Sequence, residues 1–223
     1  MDLSKSYEFF QPEMVTDRIH IIGCGSVGST VAELLMRFGL TKFALYDFDE
    51  VEPKNIVNQM FFAYDIGRPK VEAVADMMRR INKDVDIKLV PDGWHGQRLS
   101  GYVFLCVDSM KIRNEIVARN IGNPNIKAMF DFRTRLTDAQ HYAADWAKPK
   151  SVINFQKTMA FTDEEAAAAT PMSACKVTLC VAPTVRLICN YGVVNFVNFV
   201  KTGQMKKVVF CDAFSMNIEA FDL

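Results

Sequence analysis

The residues of this chain best suited to chemistry begin at Gly23-Cys24-Gly25-Ser26-Val27-Gly28, a G-x-G-x-x-G run, and continue with Asp47 about twenty residues on. Glycine at the three fixed positions allows a tight turn, lets a nucleotide approach the backbone, and lets a helix pack close to a strand. Amide N–H groups at a helix start favour an anion or a polar nucleotide group, and Ser26 stands among them. A carboxylate placed like Asp47 can accept hydrogen bonds from both hydroxyls of a ribose. These residue types point to nucleotide binding with Gly23, Gly25, Ser26 and Gly28 as the cradle, but do not say which nucleotide. An NAD-dependent oxidoreductase fits this opening unit equally well.

Such a loop works only at a strand-to-helix turn, and the flanking residues supply one. Residues 18–22 are apolar and β-prone, residues 29–38 have helical periodicity, and a second strand over Lys42–Tyr46 delivers Asp47. Between Asp47 and Asp65 runs a polar, irregular stretch too long for a simple turn, a kind of connection that is often functional. Arg68-Pro69-Lys70 opens the next helix, whose buried stripe is Val71, Val74, Ala75, Met78 and Ile81. Strands are expected over Asp86–Val90 and 102–107, the latter leading into Asp108, then a helix over Met110–Asn120 and a strand over 127–132. This alternation predicts a Rossmann-like α/β fold with a doubly wound, mostly parallel sheet and right-handed crossovers.

Beyond Asp131 the pattern changes. Residues 140–146 and 151–156 read as strands without a helix between them, and 162–169 as a short alanine-rich helix or mobile loop. A long apolar helix follows over about 183–200, and 207–211 with 214–221 read as a hairpin. The C-terminal half is therefore expected to extend the same sheet with antiparallel strands. One domain is expected: an N-terminal arm over 1–16 with Tyr7, Phe9 and Phe10, a nucleotide-binding half over 17–135, and a sheet-extension and contact half over 136–223.

Composition narrows the class. Half of the residues are hydrophobic and 23% charged, as in ordinary globular proteins, and 26 basic side chains balance 26 acidic ones. No bulk charge favours nucleic acid or an anionic membrane, so an acidic ligand must be met by local charge. Arg186, Asn190, Asn195 and Asn198 interrupt the long helix and argue for a core or interface role instead of a membrane span. The first residues contain no apolar run of signal-peptide length, and a cytoplasmic protein is expected. Six cysteines occur without a C-x-x-C pair, so no structural zinc is expected. His20, His95 and His141 are scattered and form no triad pattern; Trp94-His95 could line a groove or cap the core edge.

Read onward, Asp47-Phe48-Asp49-Glu50-Val51, Asn55-Ile56-Val57-Asn58-Gln59, Asp65-Ile66-Gly67-Arg68-Pro69-Lys70, Cys106-Val107-Asp108-Ser109 with Arg113, and the stretch from Cys175 to Pro183 follow in order. Over about residues 18–202 this resembles the ThiF/MoeB and ubiquitin-activating-enzyme family, whose pattern is roughly D-x-D-x-V, N-x-x-R-Q and D-[IV]-G-x-x-K after the glycine loop. The resemblance implies ATP- and magnesium-dependent adenylation of a carboxylate, usually the C-terminal glycine of a ubiquitin-like or sulfur-carrier protein, by a homodimer. It implies that Asp47 holds the ribose, that Asp49 and Asn55 orient the phosphates with Gln59 beside them, and that Lys70 meets negative charge growing on the triphosphate. Asp108 would help to hold magnesium, a hard cation that prefers carboxylate and phosphate oxygens. Some members pass the carrier to a cysteine as a thioester, a role open to Cys175 next to Lys176.

One departure stands out. The arginine of N-x-x-R-Q falls on Asn58, which brings no charge. Arg68, Arg18 and Arg113 are candidate replacements, and a weakened subunit that binds nucleotide or carrier for an active partner is the alternative reading.

Overall fold

The computed structural model describes residues 1–168, 170–173 and 179–222. Its centre is one eight-stranded sheet, composed of β1 (Ile19–Ile22), β2 (Lys42–Tyr46), β3 (Asp86–Val90), β4 (Gly101–Leu105), β5 (Ile126–Thr134), β6 (Asp138–Asp145), β7 (Val208–Asp212) and β8 (Asn217–Phe221). The order is β3-β2-β1-β4-β5-β6-β7-β8. Pairing is parallel from β3 through β5 and antiparallel from β5 through β8. The expected α/β sheet with an antiparallel C-terminal extension is what forms.

Register fixes the level of the site. Ile22 is paired with Tyr46 on one side and Leu105 on the other, so the chain leaves β1, β2 and β4 at the same height. Gly23 N–H donates to the Tyr46 carbonyl at 2.8 Å and Cys106 N–H to the Ile22 carbonyl at 2.8 Å, locking the three exits together. The order reverses here: β1 continues to β2 on one flank and its other neighbour is β4, which creates a crevice at the strand C-termini.

Helices α1 (Ser26–Arg37), α2 (Lys70–Ile81) and α6 (Ala182–Thr202) cover one face, and α3 (Met110–Asn120) and α4 (Pro149–Lys157) the other. The stripe expected on α2 is confirmed, with Val71, Val74, Ala75 and Met78 buried and Ile81 packed at the rim. Helix α6 spends its apolar residues inside the chain: Val185, Ile188, Cys189, Val193 and Phe196 lie on α1 and the sheet. No helix among the described residues is long and apolar enough to cross a membrane.

Residues 151–156 are not a strand. They lie in α4, where Pro149 sits in the first turn and Val152 and Phe155, three apart, turn inward. The adjacent Val152-Ile153 pair is β-prone, but one side chain is buried and the other exposed on a helical surface. Residues 163–168 form the short helix α5 (Asp163–Ala168). In the N-terminal arm, Phe10 is buried edge-on against Phe38, while Phe9 and Tyr7 stay exposed.

Candidate nucleotide site

The glycine run forms the β1-to-α1 turn, and its glycines answer different demands. Gly23 has φ +93°, and a Cβ there would stand 2.6 Å from the Cys106 carbonyl oxygen. At Gly28 a Cβ would stand 1.8 Å from the Gly23 carbonyl oxygen, so helix and strand can close only over hydrogen. Gly25, the N-cap of α1, is unlike both: a Cβ there would meet nothing nearer than Gln59 Oε1 at 3.9 Å. Folding leaves that space open. Gln59 Oε1 is itself buried without a hydrogen-bond partner among the described residues, which makes it an acceptor facing the loop.

A hydrogen-bonded chain runs from this turn to a lysine. Asp47 Oδ2 accepts from Cys24 N–H at 2.6 Å, and Oδ1 from Asp49 N–H at 2.9 Å. Asp49 Oδ2 in turn accepts from Lys70 Nζ at 2.7 Å, and Lys70 N–H donates to the Asp49 carbonyl at 2.9 Å. Burial raises the Asp47 carboxyl above its ordinary value, against the lowering pull of the Asp49 and Cys24 N–H groups and of Lys70. Lys70 is buried, not the solvent-facing residue usual in a helix's first turn, because the Glu50–Pro69 bridge holds the start of α2 against the Asp49 segment. Asn55 is buried too, but its Oδ1 is engaged locally by Glu52 N–H at 2.8 Å, closing a tight turn.

On the other side of the glycine loop lies a cleft of about 560 Å³, lined by Ser26, Asp108, Ser109, Arg133, Arg135 and Asp163, among others. Asp108 is exposed beyond β4 and lines the cleft. The predicted residues thus fall into two groups flanking one turn: Asp47, Asp49, Asn55, Gln59 and Lys70 toward β2, and Ser26 and Asp108 toward β4. No group of three metal-ligating side chains occurs among the described residues. A single exposed carboxylate suits magnesium, which keeps waters and takes most protein contact through one or two carboxylates plus phosphates. Cys175 lies outside the described residues. Burial holds the Cys24 and Cys106 thiols well above their ordinary range, so they are inert packing groups.

The candidate arginines are all committed elsewhere. Arg18 pairs with Asp86 at 2.5 Å near the opposite end of β1, and Arg68 pairs with Asp65 and Asp76. Arg113 is buried, its Nε 2.8 Å from Asp131 Oδ1, with Nη2 donating to the Phe132 carbonyl. Asn58, in the family's arginine position, donates from Nδ2 to the Cys180 carbonyl at 3.2 Å, tying the loop to the segment before α6.

Several contributors gave no signal in the sequence. Asp131, fully buried, also accepts from Arg133 Nε at 2.7 Å, so one carboxylate holds two guanidinium groups under the cleft. Asp163 reaches back from α5 to cap α3, accepting from Ser109 Oγ at 3.0 Å and from Met110 N–H. Burial opposes its ionisation, but these hydrogen bonds and that from Lys111 N–H outweigh it and hold its carboxyl low. Both depend on pairings across 18 to 54 residues, which no local pattern announces. Trp94 and His95 do not line the cleft; Trp94 lies with Gln97, Arg119 and Gly122 in a depression near the starts of β4 and β5.

Comparison with known proteins places this geometry. Over 89 residues the chain is 40% identical to ubiquitin-like modifier-activating enzyme 5 of Drosophila ananassae and 37% identical to that of Gallus gallus, in each case 40% of this chain and 21% of the relative. The chain thus spans about a fifth of the length of these curated relatives. Among solved structures, Escherichia coli MccB with ATP superposes with a TM-score of 0.74 at 13% identity, covering 95% of this chain and 65% of MccB. PaaA superposes with a TM-score of 0.72 at 16% identity, covering 100% of this chain and 70% of PaaA. These likenesses show a shared fold. The ThiF family model matches residues 3–223, and the chain belongs to the ThiF family.

Proposed function

We propose that this protein uses ATP and magnesium to adenylate the C-terminal carboxylate of a small ubiquitin-like or sulfur-carrier protein or a peptide, releasing pyrophosphate. The observation that carries the reading is the continuous chain Cys24 N–H, Asp47, Asp49, Lys70, which joins the glycine loop to a buried ammonium. Hydride transfer needs no phosphate-attack machinery, whereas attack on a triphosphate gains from a charge that meets the negative charge growing there. Membership in the ThiF family supports this reading over the NAD-dependent one. MccB has been solved with AMPCPP and MccA, and the curated relatives are named for activating a ubiquitin-like modifier, which supports an ATP-dependent reaction on a second polypeptide.

In this reading adenosine lies over Gly25, with a ribose hydroxyl donating to the second lone pairs of Asp47 and the orphaned Gln59 Oε1 meeting a donor of the nucleotide. Lys70 turns from Asp49 toward the triphosphate. Asp108 would hold magnesium, which would supply charge neutralisation on the phosphates when bound. The acceptor tail enters the cleft beneath α5 and brings its carboxylate oxygen to the α-phosphorus. The bond from that phosphorus to the bridging oxygen breaks, and its electron pair leaves with pyrophosphate.

Pyrophosphate exchange by the purified protein with ATP, magnesium and glycine-ended carriers tests this. Exchange with a carrier supports it, and silence across a panel of such carriers counts against it. Asn58 favours a second reading, a weakened subunit that binds nucleotide or carrier without turnover, since its side chain is engaged by Cys180 and carries no charge. A clear rise in exchange on Asn58→Arg from an undetectable baseline supports that reading; robust wild-type exchange removes it. The protein is further proposed to act as a homodimer through its exposed N-terminal aromatics, because α6 is spent inside the chain. A monomer mass by light scattering at micromolar concentration overturns this.

A further inference from the structure

Resting on the adenylation reading, we propose that Arg186 is the arginine that contacts the nucleotide's triphosphate, supplying from α6 the charge that Asn58 does not.

The placement comes from three contacts. Cys189 Sγ lies 3.7 Å from the Val27 carbonyl, which pins α6 across the first turn of α1. One turn earlier on α6, Arg186 Nη1 lies 3.0 Å from Met60 Sδ. Met60 N–H donates to Ser29 Oγ on α1 at 3.1 Å, and the residue before it is Gln59, whose orphaned Oε1 faces Gly25. The guanidinium is therefore held beside the start of α1 and the open space over Gly25.

Its state suits the role. Arg186 makes no ion pair among the described residues and is exposed, and a thioether is a weak acceptor that anchors a guanidinium poorly. Among the described residues, the other cations near the turn are committed: Lys70 to Asp49, Arg113 and Arg133 to Asp131, and Arg135 to Asp138. Among the described residues Asp47, Asp49 and Asp108 outnumber Lys70, so a polyanion gains from further positive charge besides magnesium. On nucleotide binding the side chain swings from Met60 to non-bridging oxygens, where its planar fork can donate two parallel hydrogen bonds. Negative charge grows on the departing pyrophosphate as the bond from the α-phosphorus to the bridging oxygen breaks, and the fork meets it there.

Calorimetric titration of the wild type, Arg186→Ala, Arg186→Lys and Asn58→Arg/Arg186→Ala with magnesium ATP and with adenosine tests this. Arg186→Ala is expected to weaken ATP about ten- to a hundredfold, the worth of a charge-assisted hydrogen bond to phosphate, and to leave adenosine unchanged. Arg186→Lys should retain part of the affinity, and Asn58→Arg should restore ATP affinity in the alanine background, a rescue that a packing role would not give. ATP binding by Arg186→Ala equal to wild type, or equal losses for ATP and adenosine, overturns the assignment and leaves the adenylation reading in place. A wild type that binds ATP in an Arg186-dependent way yet shows no exchange sinks the adenylation reading and supports the contact. A wild type that binds no ATP overturns both.

Discussion

Gly25 and Gly28 sit three residues apart in one turn, and substituting each by alanine should separate a ligand's need for space from the fold's. At Gly28 the added Cβ would stand 1.8 Å from the Gly23 carbonyl oxygen and 3.3 Å from Ile21 Cγ2, so α1 must lift from β1. Alanine regains about 1 kcal/mol of helix propensity there, but overpacking of this kind costs about 1–3 kcal/mol or more. A contact this short belongs at the upper end, leaving a net loss of about 2 kcal/mol and a melting temperature lower by about 4–8 °C for a chain of this size. At Gly25 the new methyl finds 3.9 Å of clearance, and the fold loses only an N-cap preference of up to about 1 kcal/mol. That methyl nonetheless fills the space under Gln59 Oε1. Gly25→Ala should therefore melt close to wild type and lose ATP binding, whereas Gly28→Ala should lose stability. Melting curves paired with ATP titration read both. ATP bound by Gly25→Ala with wild-type affinity, or Gly28→Ala melting like wild type, would refute the division.

Asp131→Ala should be among the most damaging single changes in the chain, because it strands the Arg113 and Arg133 guanidinium groups under the cleft. Breaking a buried pair costs about 3–5 kcal/mol, and urea denaturation should show it; a loss below about 1 kcal/mol contradicts the network. Stability should also fall with acidity. Burial pushes His141 down to about 4 from its ordinary 6.5, opposed by its hydrogen bond to the Asp131 carbonyl, and burial with Arg18 and Lys88 pushes His20 to about 4. The unfolded chain then binds protons that the folded chain does not, so stability is present above pH 6.5 and drains away as pH falls toward 4. Denaturation midpoints measured through that window should fall less steeply for His141→Asn, and equal slopes would contradict the buried neutral imidazole.

The parallel half of the fold is legible in the sequence because each element carries its own period. The run before Gly23, the stripe from Val71 to Met78 and the helix over Met110–Asn120 all form where the pattern puts them. The error over 151–156 arose where two β-branched residues sat in a helix with only two buried positions, too short a window for periodicity to decide. The glycine loop and Asp47 are legible because a tight turn limits which residues fit it. Asn55's local bond to Glu52 N–H and Lys70's burial against Asp49 are not, since a side chain's partner is set by how the 47–65 loop folds back. Asp131, Asp163 and Arg186 matter through distant contacts, with Arg113, the start of α3 and Met60 supplied by other parts of the chain.

The adenylation reading stands or falls on whether a terminal carboxylate makes ATP cleavage reversible at this site. The direct measurement is pyrophosphate exchange with glycine-ended ubiquitin-like, sulfur-carrier and peptide acceptors, each supplied with a free C-terminus and as its C-terminal amide. Exchange that appears with a free carboxylate, vanishes with its amide and falls sharply in Lys70→Ala is the expected result. Exchange that is absent with every acceptor, or present equally with the amides, would contradict it.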